Sequence, residues 1–347
     1  MAARMGPHCQ GSNLRARQWA SVASVVKQMD GTDLLAAAPS GATTIFRHWY
    51  PGADIARNGG DVAREVIAAC GGFKPTYIEL YNEAGYGDRV GQGLERYVQF
   101  HREAVPVAHA AGIKVMGYSF GTGSPEAGDW KYLADQGWGN VDAVGIHEYW
   151  AERGFTIWNA LRHRQVIGWT NGRTPPDGFY ITECGRDRVR DGDNGEYIGV
   201  PGYVGTGLSA QMFGEELLSY ANWVGQDSYI KGVTPFTCAP NAMWTGFDCD
   251  PVVPFLLGLP PDPICDPACC LERTDCLVCP NAKTCYPPIG QEPVPAWLVG
   301  LGIGALFGGL ALAITTPRYQ IGKKFIYYDK RTIPAGGQVP PGFVIVK

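Results

Sequence analysis

The sequence predicts an α/β fold: a (β/α)8 TIM barrel, followed by a small Cys-rich segment and a single C-terminal transmembrane helix. Three observations predict it. Between residues 4 and 236, short β-rich runs alternate with amphipathic helical stretches through eight units, the pattern of parallel strands joined by crossover helices. No glycine-rich dinucleotide or phosphate fingerprint follows the first strand, which counts against a doubly wound sheet. The uncharged run over residues 296–314 matches the thickness of a bilayer core when coiled as a helix.

The elements follow in order. The first strand is read over residues 4–10 and its helix over 14–23, with Trp19 facing inward. The second strand spans 24–29, with a short helix over 32–38. The third spans 43–49, and its helix over 62–69 takes Asp61 as N-cap. The fourth strand spans 77–82. The long helix over 92–111 carries Leu94, Tyr97, Val98 and Ala104 at helical spacing; Pro106 should kink it, because proline lacks the amide hydrogen and crowds the preceding turn. The fifth strand is 114–118 with a helix at 129–136, and the sixth is 143–149 with a helix at 156–167. The seventh is 178–182, with a helix over 209–224 rich in Phe213, Leu217, Leu218 and Trp223. The eighth strand is 230–236, and the helix that should follow it has no clear pattern.

Composition divides the chain. With 45% hydrophobic and 18% charged residues, the barrel has ample apolar material for a large core. A formal charge of −4 and the lack of a Lys/Arg stripe count against a nucleic acid partner. Of the 11 cysteines, Cys265, Cys269, Cys270, Cys276, Cys279 and Cys285 crowd together. The expected division is a barrel over 1–250, a Cys/Pro-rich stalk over 251–295, a transmembrane helix over 296–316 and a basic tail over 317–347. Outside the cell the cysteine cluster would be a disulfide-stapled knob; a zinc site using Cys276 and Cys279 is the alternative. A bridge between Cys238 and Cys249 would close the loop after the eighth strand. Trp297 marks one end of the apolar helix, and Arg318, Lys323, Lys324, Lys330 and Arg331 lie beyond the other. The positive-inside rule then puts the tail in the cytoplasm and the barrel outside. Gly300, Gly304 and Gly308 would give the helix a face for self-association. The alternative for this run is a buried glycine-rich core helix. The opening Met-Ala-Ala-Arg-Met-Gly does not read as a secretory signal, which leaves an internal start, export through the C-terminal helix, or a virion protein.

The chemistry rests on two strand-end glutamates. Residues 76–83 read Thr-Tyr-Ile-Glu-Leu-Tyr-Asn-Glu, and residues 179–185 read Phe-Tyr-Ile-Thr-Glu-Cys-Gly. In a barrel, strand C-terminal ends converge on one face. Two carboxylates meeting there can cleave a glycosidic bond, one giving a proton to the leaving oxygen while the other attacks or activates water. Glu79 alternates in phase with Glu83 and reads as a supporting carboxylate. Glu148 is out of phase with His147 and reads as non-catalytic. Cys184 has no partner motif for thiol chemistry, and no metal or organic cofactor is implied.

Asn82-Glu83 at the end of the fourth strand and Glu183 at the end of the seventh resemble the clan A retaining glycoside hydrolases, the 4/7 superfamily, over residues 4–248. The resemblance implies that Glu83 is the acid/base, Glu183 the nucleophile, and Asn82 the partner of the sugar 2-hydroxyl. It also implies that Arg47 orients the nucleophile, although a surface ion pair is as good a reading of that arginine. His147 and Tyr149 occupy the sixth-strand end, where the superfamily places a His or Tyr against the nucleophile. Trp244, several residues past the eighth strand, would floor the central sugar. His8 would bind sugar hydroxyls or serve the structure; Tyr118 and Trp150 would line outer subsites or pack. The expected substrate is a polysaccharide or cell-surface glycan. A transglycosylase, or a non-catalytic carbohydrate-binding surface or virion protein on the same barrel, fits the same residues.

Overall fold

The structure, a computed structural model, describes residues 4–50, 52–84, 92–151, 155–187 and 202–259. The cysteine cluster, the apolar run over 296–314 and the basic tail lie outside the described residues. Among the described residues, no helix is long and apolar enough to cross a membrane.

Eight parallel strands close into a barrel in sequential order. They are β1 (His8–Cys9), β2 (Val25–Met29), β3 (Thr43–Arg47), β4 (Tyr77–Glu79), β5 (Lys114–Phe120), β6 (Ala143–Trp150), β7 (Phe179–Arg186) and β8 (Ile230–Cys238). Around them lie α1 (Leu14–Ala20), α2 (Asp33–Ala37), α3 (Gly59–Ala69), α4 (Gln92–Ala110), α5 (Ala127–Asp135), α6 (His163–Trp169), α7 (Ala210–Val224) and α8 (Val253–Leu257). The last helix, which the sequence pattern left undefined, lies beyond residue 250 and packs against α1 and α7.

Two apolar layers hold the barrel. Val25, Ile45, Tyr77, Met116, Ala143 and Tyr180 fill one level of its interior. The opposite strand faces meet the helices in the larger core, where Trp19 and Trp130 are fully buried. Strand alternation explains the split: Val26, Phe46, Ile78 and Ile181 point outward to the helices, one position out of phase with the inner set.

Local chemistry sets the element boundaries. The first strand is shorter than the expected 4–10 because Pro7 has no amide hydrogen to give a neighbour. Only Met5 bridges β8 upstream of it. At Gly6 the chains approach so closely that a Cβ would lie 1.7 Å from the Val25 carbonyl oxygen. The N-cap of α3 is Asn58, not Asp61: the Asn58 side chain accepts from the amides of Gly60 and Asp61, and Asp61 sits in the first turn. Pro106 lies inside α4, which continues to Ala110. The helix expected from residue 156 begins only at His163. The Asn159 side chain captures the Ala160 amide and the Thr156 hydroxyl, a local alternative that competes with helical bonding.

Candidate active site

β7 carries a register irregularity that aims Glu183. Ile181 pairs with Ile146 of β6, but Glu183, two residues on, pairs with His147, only one residue on. One extra residue is thereby accommodated in β7. By strict alternation from inward-facing Tyr180, Thr182 would point inward and Glu183 outward; a bulge reverses the phase. The Glu183 carboxylate consequently faces the barrel mouth and is almost fully buried there.

Its two oxygens have separate partners. Arg47 Nη1, from β3, donates to Oε1 at 2.7 Å. The Tyr149 hydroxyl, from β6, donates to Oε2 at 2.9 Å. Lys27 Nζ and His8 Nδ1 stand 3.6 and 3.8 Å from Oε1, and His147 Nδ1 stands 3.6 Å from Oε2. Burial alone would raise the carboxyl's pKa, but its neighbours, His147, Arg47 and Lys27 foremost, hold it well below the usual carboxylate range. Burial also drives the His8 imidazole well below its ordinary pKa, so that ring is neutral and the attraction at Oε1 comes from Arg47 and Lys27. Burial first, and the neighbouring Glu183 charge second, push the Tyr149 phenol well above its ordinary value. Tyr149 is therefore a donor to Glu183 throughout the physiological range.

Glu83 is placed differently. It lies in the bend just after β4, with φ of 46°, and its amide donates to the Ser119 carbonyl at 3.0 Å. The side chain is 46% exposed, and His147 Nδ1 meets its Oε1 at 2.7 Å. Gly121 makes room for it, since a Cβ there would sit 3.0 Å from that oxygen. Thus one carboxylate is enclosed by cations and a phenol, while the other stands in the cleft. An oxygen of each and a ring nitrogen of His147 all lie within 4.8 Å of one another. Asn82 accepts from Arg47 Nη1 and lines the cleft beside Glu83.

That triangle of two carboxylates and an imidazole also has the spacing of a metal site. The surrounding charge opposes one: Arg47 and Lys27 already neutralise Glu183, and both its oxygens are engaged. A divalent cation at Oε2, the oxygen nearest His147, would have to displace the Tyr149 hydroxyl.

The cleft above the carboxylates measures about 940 Å3, within the ~300–1,000 Å3 range of small-molecule sites. Its walls are aromatic. Phe236 at the end of β8 meets Trp244 and Phe247 edge to face, with centroids 5.3 and 5.5 Å apart. Trp49, Tyr50 and Tyr81, which follow the ends of β3 and β4, line another side, and Trp49 is 57% exposed.

The structure brings Glu83, Glu183, Asn82, Arg47, Tyr149 and Trp244 to one cleft, with His147 bridging the glutamates from below. Three expected residues are placed otherwise. His8 is fully buried behind Glu183, edge-on to Phe236, out of reach of a sugar hydroxyl. Tyr118 is turned out of the barrel because β5 breaks register between Gly117 and Phe120, where Tyr118 and Ser119 have left-handed φ; it packs on Tyr97 and His101 of α4. Trp150 borders the cleft, but its indole is buried and donates to Glu216 at 3.0 Å. Cys238 and Cys249, the expected bridge, are free buried thiols.

A scan of protein-family models finds no match to this chain, and a search of curated proteins also finds none. Solved structures with a similar course of chain do exist. One is an endo-β-1,3-glucanase of GH128 subgroup II from Sorangium cellulosum, at 14% identity and a TM-score of 0.48, covering 74% of this chain and 99% of that one. Another is a GH128 subgroup I endo-β-1,3-glucanase from Amycolatopsis mediterranei, in complex with laminaritriose and laminaribiose, at 15% identity and a TM-score of 0.42, covering 72% and 98%. A GH113 β-1,4-mannanase aligns at 10% identity and a TM-score of 0.42, covering 73% and 97%. The closed eight-stranded barrel itself is the fold that the sequence predicts. A fold does not fix an activity.

Sequence reasoning missed Phe236, Phe247, Trp49, Tyr50 and Tyr81 as cleft residues, and Lys27 as a buried charge. Lys27 had a signal: it falls between Val25 and Met29 at period two, on the inward face of β2. Phe236 also had one, as the last residue of the expected eighth strand; the other aromatics had none, since their use depends on how the chain runs over the mouth beyond the strands.

Proposed function

We propose that this chain is a retaining glycoside hydrolase that cleaves a polysaccharide or oligosaccharide by double displacement. The observation that carries the reading is the meeting of Glu83 and Glu183 oxygens within 4.8 Å through His147. Retention requires carboxyl groups about 5–5.5 Å apart, whereas inversion leaves room for water at roughly 6.5–9.5 Å. Glu183, held ionised by Arg47 and Tyr149, attacks the anomeric carbon and forms a glycosyl ester. Glu83 protonates the departing oxygen. As a carboxylate it then takes a proton from the incoming water, whose oxygen displaces Glu183 and restores both groups. Asn82 is placed beside Glu83 to receive a hydroxyl of the same sugar, and Phe236 and Trp244 present apolar faces to the ring.

The charge of the cleft supports a neutral sugar. Among the described residues that line it, the basic side chains are Arg47, bonded to Glu183, and His48, whose Nδ1 lies 2.6 Å from Asp30. A uronate or sulfate would find its counter-ions already engaged.

Hydrolysis of a panel of neutral glycans and aryl glycosides, with the first-formed anomer read by proton NMR, tests this function. Retention supports the proposal, and inversion refutes it. Glycan binding without any turnover would instead favour the carbohydrate-binding reading. Transfer of the sugar to an added acceptor in preference to water would mark a transglycosylase using the same carboxylates.

On the sequence alone, the barrel is also proposed to stand outside a membrane, anchored through residues 296–316 with the tail in the cytoplasm. Recovery of the full chain in carbonate-washed membranes, with the barrel open to external protease, is the expected result. Release by carbonate would refute it.

A further inference from the structure

We propose that Lys27 is a positioning residue for Glu183, and that the buried Lys27–Glu79 ion pair sets how firmly Glu183 is held as an anion. The proposal rests on the reading of Glu183 as the nucleophile. Lys27 projects from the middle of β2 into the barrel and is fully buried. Its Nζ lies 2.6 Å from Glu79 Oε2 and 3.6 Å from Glu183 Oε1, and it donates to the Thr182 carbonyl at 3.3 Å. Arg47 Nη1 lies 2.7 Å from Glu183 Oε1 and 3.9 Å from Glu79 Oε2. Two cations and two carboxylates therefore form a closed ring inside the barrel, and each cation is shared between both anions.

A structural role alone does not call for this ring. The layer beneath it is filled by Val25, Ile45, Tyr77, Met116, Ala143 and Tyr180, and an apolar side chain at position 27 would continue that layer without desolvating an ammonium. The position of Lys27 instead links the charge of Glu79 to that of Glu183. Without Lys27, Glu79 would be left facing Arg47 and would compete for the guanidinium that holds Glu183. Without Glu79, both cations would turn wholly to Glu183. The other groups facing Glu183 are His8 from β1, Glu83 after β4, and His147 and Tyr149 from β6. Of these, His8 also faces the Lys27 charge, which adds to burial in lowering its pKa.

The consequence is a pair of opposed shifts. Lys27→Met should raise the protonation midpoint of Glu183 by roughly one to three units, the usual effect of losing a close opposite charge. Glu79→Gln should lower it. In Lys27→Met/Glu79→Gln the midpoint should lie between those of the single variants. The first readout is the 13C NMR titration of the full chain carrying carboxyl-labelled glutamate, with the Glu183 resonance assigned by its loss in Glu183→Gln. The second is the acid limb of kcat/KM on any glycoside the protein turns over.

Opposed shifts support the proposal; an unmoved midpoint in Lys27→Met, or shifts of the same sign, overturns it. Should Lys27→Met fail to fold, the double variant compared with Glu79→Gln decides, because loss of the ammonium must still raise the midpoint. Because the carboxyl titration requires no turnover, an inactive wild type would refute the proposed hydrolysis while leaving the test of Lys27 intact.

Discussion

Glu183 and Glu83 have the same side chain and opposite surroundings, and in the proposed mechanism that difference divides their work. Glu183 has Arg47 on one oxygen and Tyr149 on the other, so it is fixed as an anion. Glu83 stands partly in solvent with His147 as its neighbour, free to exchange a proton with a substrate or water. Glu83→Ala should reduce turnover by about 10²- to 10⁴-fold, least for substrates whose leaving group needs no protonation. Added azide should restore rate by attacking the glycosyl ester, which steady-state kinetics with an activated aryl glycoside will read. Tyr149→Phe removes a hydrogen bond to a charged group, worth about 1.5–3 kcal/mol. The expected loss is roughly ten- to a hundred-fold in kcat/KM, together with an acid limb moved to higher pH as Glu183 becomes easier to protonate. An unchanged limb would deny the bond its role.

Among the elements, strand starts were more legible than strand ends. β5, β6, β7 and β8 each run beyond the span that the apolar alternation marked. In β7 the expected run stops just before Glu183, yet the backbone ladder continues to Arg186, because the polar residues of the barrel mouth are themselves carried on strands. The breaks in register that place Glu183 and Tyr118 were not legible at all. The β7 bulge turns Glu183 inward, and the left-handed backbone at Tyr118 and Ser119 turns Tyr118 outward; neither is encoded in hydrophobic period. Caps were closer to the surface of the sequence, and Asn58 three residues before Asp61 is the better N-cap because its amide oxygen reaches two free amides at once. Asn58→Ala should cost about 1 kcal/mol, measured by urea unfolding, whereas Asp61→Ala should cost less.

Across the whole molecule, the alternation of strand and helix predicted the closed barrel, and the two strand-end glutamates it singled out meet at one cleft. The aromatic walls came from loop paths that the sequence pattern does not specify. The outer layer of the barrel carries a pH-dependent tie. His163 lies between Glu148 of β6 and Asp227 before β8, with nitrogens 2.9 and 3.0 Å from their oxygens. Burial opposes its charge, but Glu148 and Asp227 outweigh burial and raise its pKa to about 9. A folded-state pKa above the unfolded value favours folding when the group is protonated. The contribution is thus complete below about pH 6.5 and is lost as pH rises through about 9. Thermal unfolding should show Tm falling over that window, and His163→Gln should flatten the fall.

Double displacement passes through a covalent bond between the sugar and Glu183. Incubation of the protein with a panel of activated 2-fluoro-glycosides, followed by intact-mass and peptide mass spectrometry, tests it most directly. The account predicts one sugar adduct on the peptide containing Glu183, absent in Glu183→Gln and formed with the sugar that the cleft accepts. An adduct on another residue, or turnover of the matching non-fluorinated glycoside with no adduct formed, would contradict it.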